Sequence, residues 1–244
     1  MPQKFPTVQR LAEKNIRKWV QAEHVRERLA QGNGRKPVGP YVTISREAGA
    51  GGSEIARRAA EKLGWDVLDD EIVDYLAQQY GSPRHLVEIA DERHIGWIEE
   101  LLAGNQGGQQ WTSAKYLHRL HHLLMLAAHH GNVIVVGRGA RYILPADGGL
   151  SVRILAPVNF RVAQVAADRQ VPPRVARRLI DESDRQQALF IKEHFHHAAD
   201  DAHMYDMVVN VEKLSREDAA ELIVDAVHAW MHNTGITVPA AASA

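Results

Sequence analysis

Short β-branched runs punctuate the middle of the chain, and longer stretches of helical period separate them. Val42, Thr43 and Ile44 mark a strand over residues 41–45, and the Val-Ile-Val-Val run at 133–136 has the continuous apolar character of a strand buried on both faces. Further strands are predicted over 65–69, 152–156 and 207–211. Between them, helical spacing holds over 53–63 and over about 158–197, with a break at Val171-Pro-Pro173. A last helix begins at Ser215, where Ser215 and Asp218 have the spacing of a capping box. Residues 71–130 read as wholly helical, interrupted at Gly81-Ser-Pro83 and at 103–108. Alternation of strand and helix predicts an α/β fold: a five-stranded parallel sheet in a three-layer α/β/α arrangement, with 71–130 as a helical insertion. Ahead of the sheet, Val8, Leu11, Ala12, Trp19, Ala22, Val25 and Leu29 predict a helix over 5–30, and the Gly/Pro-rich residues 31–40 a linker. The expected organisation is a basic helical extension and linker over 1–38, one domain over 39–232, and a flexible tail over 233–244.

The first predicted strand runs directly into Gly49, Ala50, Gly51, Gly52 and Ser53, and a helix follows. Glycines there let the backbone turn and bring N–H groups toward an anion at a helix N-terminus, so these five residues are the expected phosphate-binding loop. The pattern GxxxxGK[ST] is incomplete: with Ser53 on its Ser/Thr, Gly52 stands where the lysine belongs and Arg46 where the first glycine belongs. Arg46 is the nearest cation before the glycines and is expected to take part of the lysine's role. A second close-approach point is Gly137-Arg138-Gly139, at the carboxyl end of the third strand.

Net charge is −1, which leaves no basic footprint for nucleic acid over the chain as a whole. Residues 1–38 depart from this balance, with nine Lys or Arg against three Glu. Trp19, Val25 and Leu29 would expose apolar surface on a free helix. The helix is therefore expected to dock on the chain's own core or on a second subunit, with a homodimer as its expected use. There is no cysteine, no apolar run of membrane-spanning length and no apolar signal-peptide core, and the expected location is the cytoplasm. His118, His121, His122 and His129 fall near one face of a helix. One helix rarely supplies a whole metal site, so they are expected to form a polar face and not a zinc centre.

In order and spacing, several short segments resemble the cytidylate-kinase-like family of the P-loop nucleoside monophosphate kinases. They are Thr43-Ile-Ser-Arg-Glu47 with Gly49-Ala-Gly-Gly52, Leu68-Asp69, residues 133–140 with Ile143-Leu144, Ala156-Pro157 with Arg161, Asp184-Arg185, and residues 205–210 followed by Leu214-Ser215. The resemblance implies a P-loop kinase fold with three working parts. These are a core carrying the ATP loop, a helical insertion over the acceptor at 71–130, and an arginine-bearing lid at about 168–185 hinged near Val171-Pro-Pro173.

The function it implies is phosphoryl transfer from ATP, with Mg²⁺, to a nucleoside monophosphate. Such chemistry needs positioned N–H groups, metal and arginines to neutralise the transferring group. On this resemblance Arg46, Arg174, Arg177 and Arg178 are catalytic candidates, Arg138 and Arg185 bind the acceptor phosphate, and Ser53 and Asp69 hold the metal. Familiar cytidylate kinases place small residues after the second-strand aspartate, then an arginine six positions on, and an aspartate in the third-strand motif. This chain has Asp70-Glu71, Tyr75 and Gly139 at those places, so the resemblance does not extend to cytosine specificity. Two other readings share the features: a nucleotide-binding regulatory or interaction protein that keeps the fold without turnover, and a kinase acting on a small acceptor that is not a nucleotide.

Overall fold

A computed structural model describes residues 39–70 and 113–236, together with Asn15 and Trp19. The expectations for the remainder of 1–38, for residues 71–112 and for the tail 237–244 lie outside the described residues. Chain contacts divide the protein into two units, 1–39 with 68–131 and 40–67 with 132–244.

The second unit is built on β1 (Tyr41–Arg46), β3 (Val133–Val136), β4 (Gly149–Leu155), β5 (Met207–Asn210) and β2 (Asp66–Leu68), whose last residue, Leu68, falls in the first unit. They form one parallel sheet in the order β2-β3-β1-β4-β5. Its helices are α1 (Gly52–Leu63), α3 (Ala140–Ile143), α4 (Val158–Arg169), α5 (Pro173–Phe195) and α6 (Arg216–Thr234); α2 (Ser113–His130) lies in the first unit. Val42, Ile44, Ile134, Val136, Val152 and Ile154 pack against Ile55, Ala56, Ala59 and Ala60 of α1 and Ala219, Ala220, Ile223 and Val227 of α6. Thr43, Val133, Val135, Ser151 and Arg153, on the alternate face, are buried as well. That double burial explains why these strands read as apolar runs and not as an alternating pattern. Because β3 and β4 lie on opposite sides of β1, the sheet switches direction at β1, and ligands in such sheets bind beyond the carboxyl ends at that point.

Most predicted elements are present with shifted ends. β4 begins at Gly149 and not at 152, because Gly149, Leu150 and Ser151 pair with Tyr41, Val42 and Thr43 without any β-branched signal of their own. The predicted break at Val171-Pro-Pro173 is the turn between α4 and α5. Ser215 and Asp218 form the expected capping box on α6, with Ser215 Oγ accepting from the Asp218 N–H at 3.0 Å and Asp218 Oδ2 accepting from the Ser215 N–H at 3.1 Å. Ser215→Ala is expected to cost about 1 kcal/mol, read as a lower urea midpoint at constant m-value.

In the first unit, Leu120, Leu124, Ala127 and Ala128 form the buried face of α2. Trp19 is fully buried, its ring 6.2 Å from that of His130, so this residue of the predicted extension is covered within the chain itself. The His118 and His122 rings meet edge-on at 4.3 Å. Burial first, then His122 and His118, lower the His121 pKa, and no group of residues suited to a metal ion occurs among the described residues. No helix among the described residues is long and apolar enough to cross a membrane.

Candidate active site

The chain leaves β1 at Arg46 and turns through a glycine loop into α1. Gly49 and Gly51 take φ of 83° and 80°, a left-handed backbone that favours glycine. Gly51 caps α1 without a side-chain hydrogen bond, leaving the start of the helix open. Among the described residues no acceptor meets the N–H groups of Gly49, Gly51, Gly52 or Ser53, and none meets the Ser53 hydroxyl. An alternation of left- and right-handed residues aims such N–H groups into one concavity, and the helix dipole adds to its positive potential.

The path of Arg46 explains two of the glycines. A Cβ on Gly52 would stand 2.6 Å from Arg46 Cβ and 2.9 Å from its Cγ, so any side chain at 52 competes with the arginine for one space. At the other end, a Cβ on Gly137 would stand 2.7 Å from Arg46 Nη1. The guanidinium therefore bridges from the phosphate loop to the loop after β3. Gln187 of α5 lies against it: with its amide oriented so that the nitrogen meets an acceptor and the oxygen a donor, it donates to the Arg46 carbonyl at 3.0 Å and accepts from Arg46 Nη1 at 3.1 Å. Absence of a lysine at 52 and presence of an arginine at 46 are thus one structural choice.

A buried arginine fastens the outer side of the loop. Arg161 of α4 places Nη1 2.6 Å from Asp184 Oδ2 and 3.1 Å from the Ala48 carbonyl, and its Nε donates to the Ala156 carbonyl at 3.0 Å and lies 3.3 Å from Glu47 Oε2. Asp184 also accepts from the Ala48 N–H at 3.0 Å, and Glu47 from the Ala156 N–H at 3.1 Å. Under the loop, Arg216 pairs with Glu54, and its Nε would lie 3.0 Å from a Cβ on Gly51. The hydrogen bond from Arg58, joined by the charges of Arg216 and Arg58, outweighs the opposing effect of burial and holds the Glu54 carboxyl below its ordinary range. Beyond β3, Gly137, Arg138 and Gly139 are all left-handed, with φ of 76°, 52° and 68°, and a side chain on Gly139 would run into the Phe195 ring.

The model of the cytidylate kinase-like family matches residues 41–213, which include the loop, Arg46, Arg161 and Asp184. The chain belongs to the cytidylate kinase-like family. A cytidylate kinase from Natronomonas pharaonis is 24% identical over 191 residues, which cover 78% of this chain and 90% of that one. The crystal structure of an uncharacterized protein from Eubacterium ventriosum is similar with a TM-score of 0.58 at 19% identity, over 77% of this chain and 98% of that one. A shikimate kinase structure from Bacteroides thetaiotaomicron gives a TM-score of 0.45 at 14% identity, over 77% and 98%.

Within this cytidylate kinase-like domain the predicted site residues fall into two groups. Arg46, Gly49 to Ser53 and Arg138 lie at the carboxyl ends of β1 and β3. Arg174, Arg177, Arg178 and Arg185 instead lie on the exposed side of α5. Arg177 pairs with Asp181 at 2.8 Å and Arg185 with Glu182 at 2.8 Å, each within the helix. Asp69, directly after β2, belongs to the first unit and Ser53 to the second. Sequence reasoning assigned no role to Asp184, Gln187, Arg161 or Arg216. For the first two a signal was available: Ala176, Ile180, Asp184, Gln187 and Ile191 recur at intervals of three or four, which places both polar residues on the stripe that α5 buries.

Proposed function

We propose that the protein transfers the γ-phosphoryl group of ATP to a nucleoside monophosphate. The observation that carries this reading is the juxtaposition of four unengaged N–H groups at the open end of α1 with a guanidinium held over Gly52 and Gly137. Phosphoryl transfer asks the protein for positioning and charge neutralisation, and this arrangement offers both. The loop N–H groups bind the phosphates of ATP, and Arg46 neutralises charge on the side facing the acceptor. Arg138 contacts the acceptor phosphate. The Ser53 hydroxyl, without a partner among the described residues, suits a metal-bound nucleotide. Mg²⁺, if held beside Ser53, would supply charge compensation for the nucleotide's phosphates. Residues from about 168 to 185 act as the lid, and the cytoplasm is the proposed setting.

A coupled ADP-release assay with Mg-ATP across CMP, dCMP, UMP, AMP and GMP, beside ATP calorimetry, tests the reading. At least one acceptor is expected to raise ADP release well above the acceptor-free rate. ATP binding with no acceptor-dependent release would move the assignment to a nucleotide-binding protein without turnover, a reading that the outward position of the four α5 arginines favours.

A further inference from the structure

Arg153 is the second deeply buried arginine of the sheet domain, and its surroundings differ from those of Arg161. Arg161 meets two carboxylates and two backbone carbonyls. Arg153 lies on β4 opposite Ser45 of β1 and is only 9% exposed. Its Nη1 reaches Ser45 Oγ at 3.3 Å, a long contact, and the guanidinium stands 5.6 Å from the centre of the Tyr205 ring. Among the described residues no carboxylate pairs with it. A guanidinium carries five N–H donors and keeps its charge at any physiological pH, so burial with one weak acceptor and an aromatic face leaves most of its capacity unused.

A second buried polar group lies close by. The Tyr142 hydroxyl, on α3, is buried beside the Tyr205 hydroxyl and meets no carbonyl or carboxylate among the described residues. Its ring is fixed between those of Phe195 and His197, at 5.3 Å and 5.1 Å, and cannot turn away without unstacking. Burial first, then a hydrogen bond with the neighbouring Tyr205 hydroxyl, raise the Tyr142 pKa, while the Arg153 and Arg141 charges oppose the rise. Tyr205 itself donates to the Ala199 carbonyl at 3.0 Å. Arg153 and Ser45 lie on the face of β4 and β1 opposite α1, one residue before β1 ends at Arg46.

We propose that Arg153 and the Tyr142 hydroxyl form an anion subsite that takes the phosphate group of the acceptor. The proposal rests on the phosphotransferase reading above and adds two residues to it. The guanidinium supplies a fork of N–H groups to two phosphate oxygens, Tyr142 donates to a third, and the Tyr205 ring fixes the plane of the fork.

Calorimetry with the loop saturated by a non-hydrolysable ATP analogue, using inorganic phosphate, CMP and cytidine as titrants, tests it. Wild type is expected to bind phosphate and CMP. Arg153→Met is expected to weaken both about tenfold to a hundredfold, and Tyr142→Phe about fivefold, as loss of charged and neutral hydrogen bonds implies. Affinity for the ATP analogue and for cytidine should change by less than about twofold in either variant, since neither ligand places a phosphate there. Wild-type phosphate and CMP affinity in folded Arg153→Met overturns the proposal, as does no phosphate binding by wild type or an equal loss of analogue and phosphate. If Arg153→Met does not fold, Arg153→Lys and Tyr142→Phe carry the test, and unchanged phosphate affinity in both overturns it. Arg153-dependent phosphate binding without turnover of any nucleoside monophosphate leaves the subsite standing and removes the phosphotransferase reading.

Discussion

Arg46→Gly is expected to lower acceptor-dependent turnover by about a hundredfold or more, the usual effect of deleting a positioned group that stabilises transition-state charge. ATP affinity should fall much less, because the loop N–H groups remain. Gly52→Lys alone is expected to be as damaging for a different reason. Its Cβ would have to occupy space 2.6 Å from Arg46 Cβ, so the loop must distort and ATP binding should be lost together with turnover. The double variant Arg46→Gly/Gly52→Lys removes the collision and restores the full GxxxxGK[ST] pattern over residues 46–53. It is expected to exceed either single variant in kcat by about tenfold or more, a non-additivity that contact between the two positions requires. A double variant no more active than Arg46→Gly would show that the arginine does not stand in for the lysine.

Arg161→Met is expected to be the most destabilising of the substitutions considered. It leaves Glu47 and Asp184 facing one another without their cation and removes the donors to the carbonyls of Ala48 and Ala156. Breaking a buried pair in this way costs about 3 kcal/mol or more, so the melting temperature should drop by roughly 6–12 °C. Asp184→Asn, which can keep an acceptor for the Ala48 N–H, is expected to cost about 1 kcal/mol. Both should weaken ATP binding, since the loop is fastened at Ala48. Thermal unfolding of Arg161→Met indistinguishable from wild type would mean that the loop is held by its backbone alone.

The sheet was legible in the sequence because its strands are buried on both faces: Val42 to Ile44 and Val133 to Val136 need no tertiary knowledge to stand out. Ala140–Ile143 was not, since four residues show no helical period. In the site, the loop and Arg46 were visible because glycine and an adjacent cation mark themselves. The relation between Arg46 and Gly137 was not, because it joins two strands 91 positions apart that only the sheet order brings together. Arg174, Arg177, Arg178 and Arg185 drew attention by residue type. On an amphipathic helix, position relative to the apolar stripe is the better guide, and it selects Asp184 and Gln187. Arg153 passed unnoticed because a single arginine between Val152 and Ile154 looks like a solvated position until the strand's other face proves to be buried.

Helix α5 runs unbroken for 23 residues and touches the site at Asp184, Gln187 and Phe195. At 1.5 Å per residue it is a rod about 34 Å long, so a lid over residues from about 168 to 185 carries the rest of the helix with it. If it swings as one lever about the turn at Gln170 to Pro172, the three contacts release in concert: the Ala48 tether, the Arg46 brace and the ring over Gly139. Opening would then follow a single relaxation, with no stage in which the phosphate loop is loose while Arg46 stays braced.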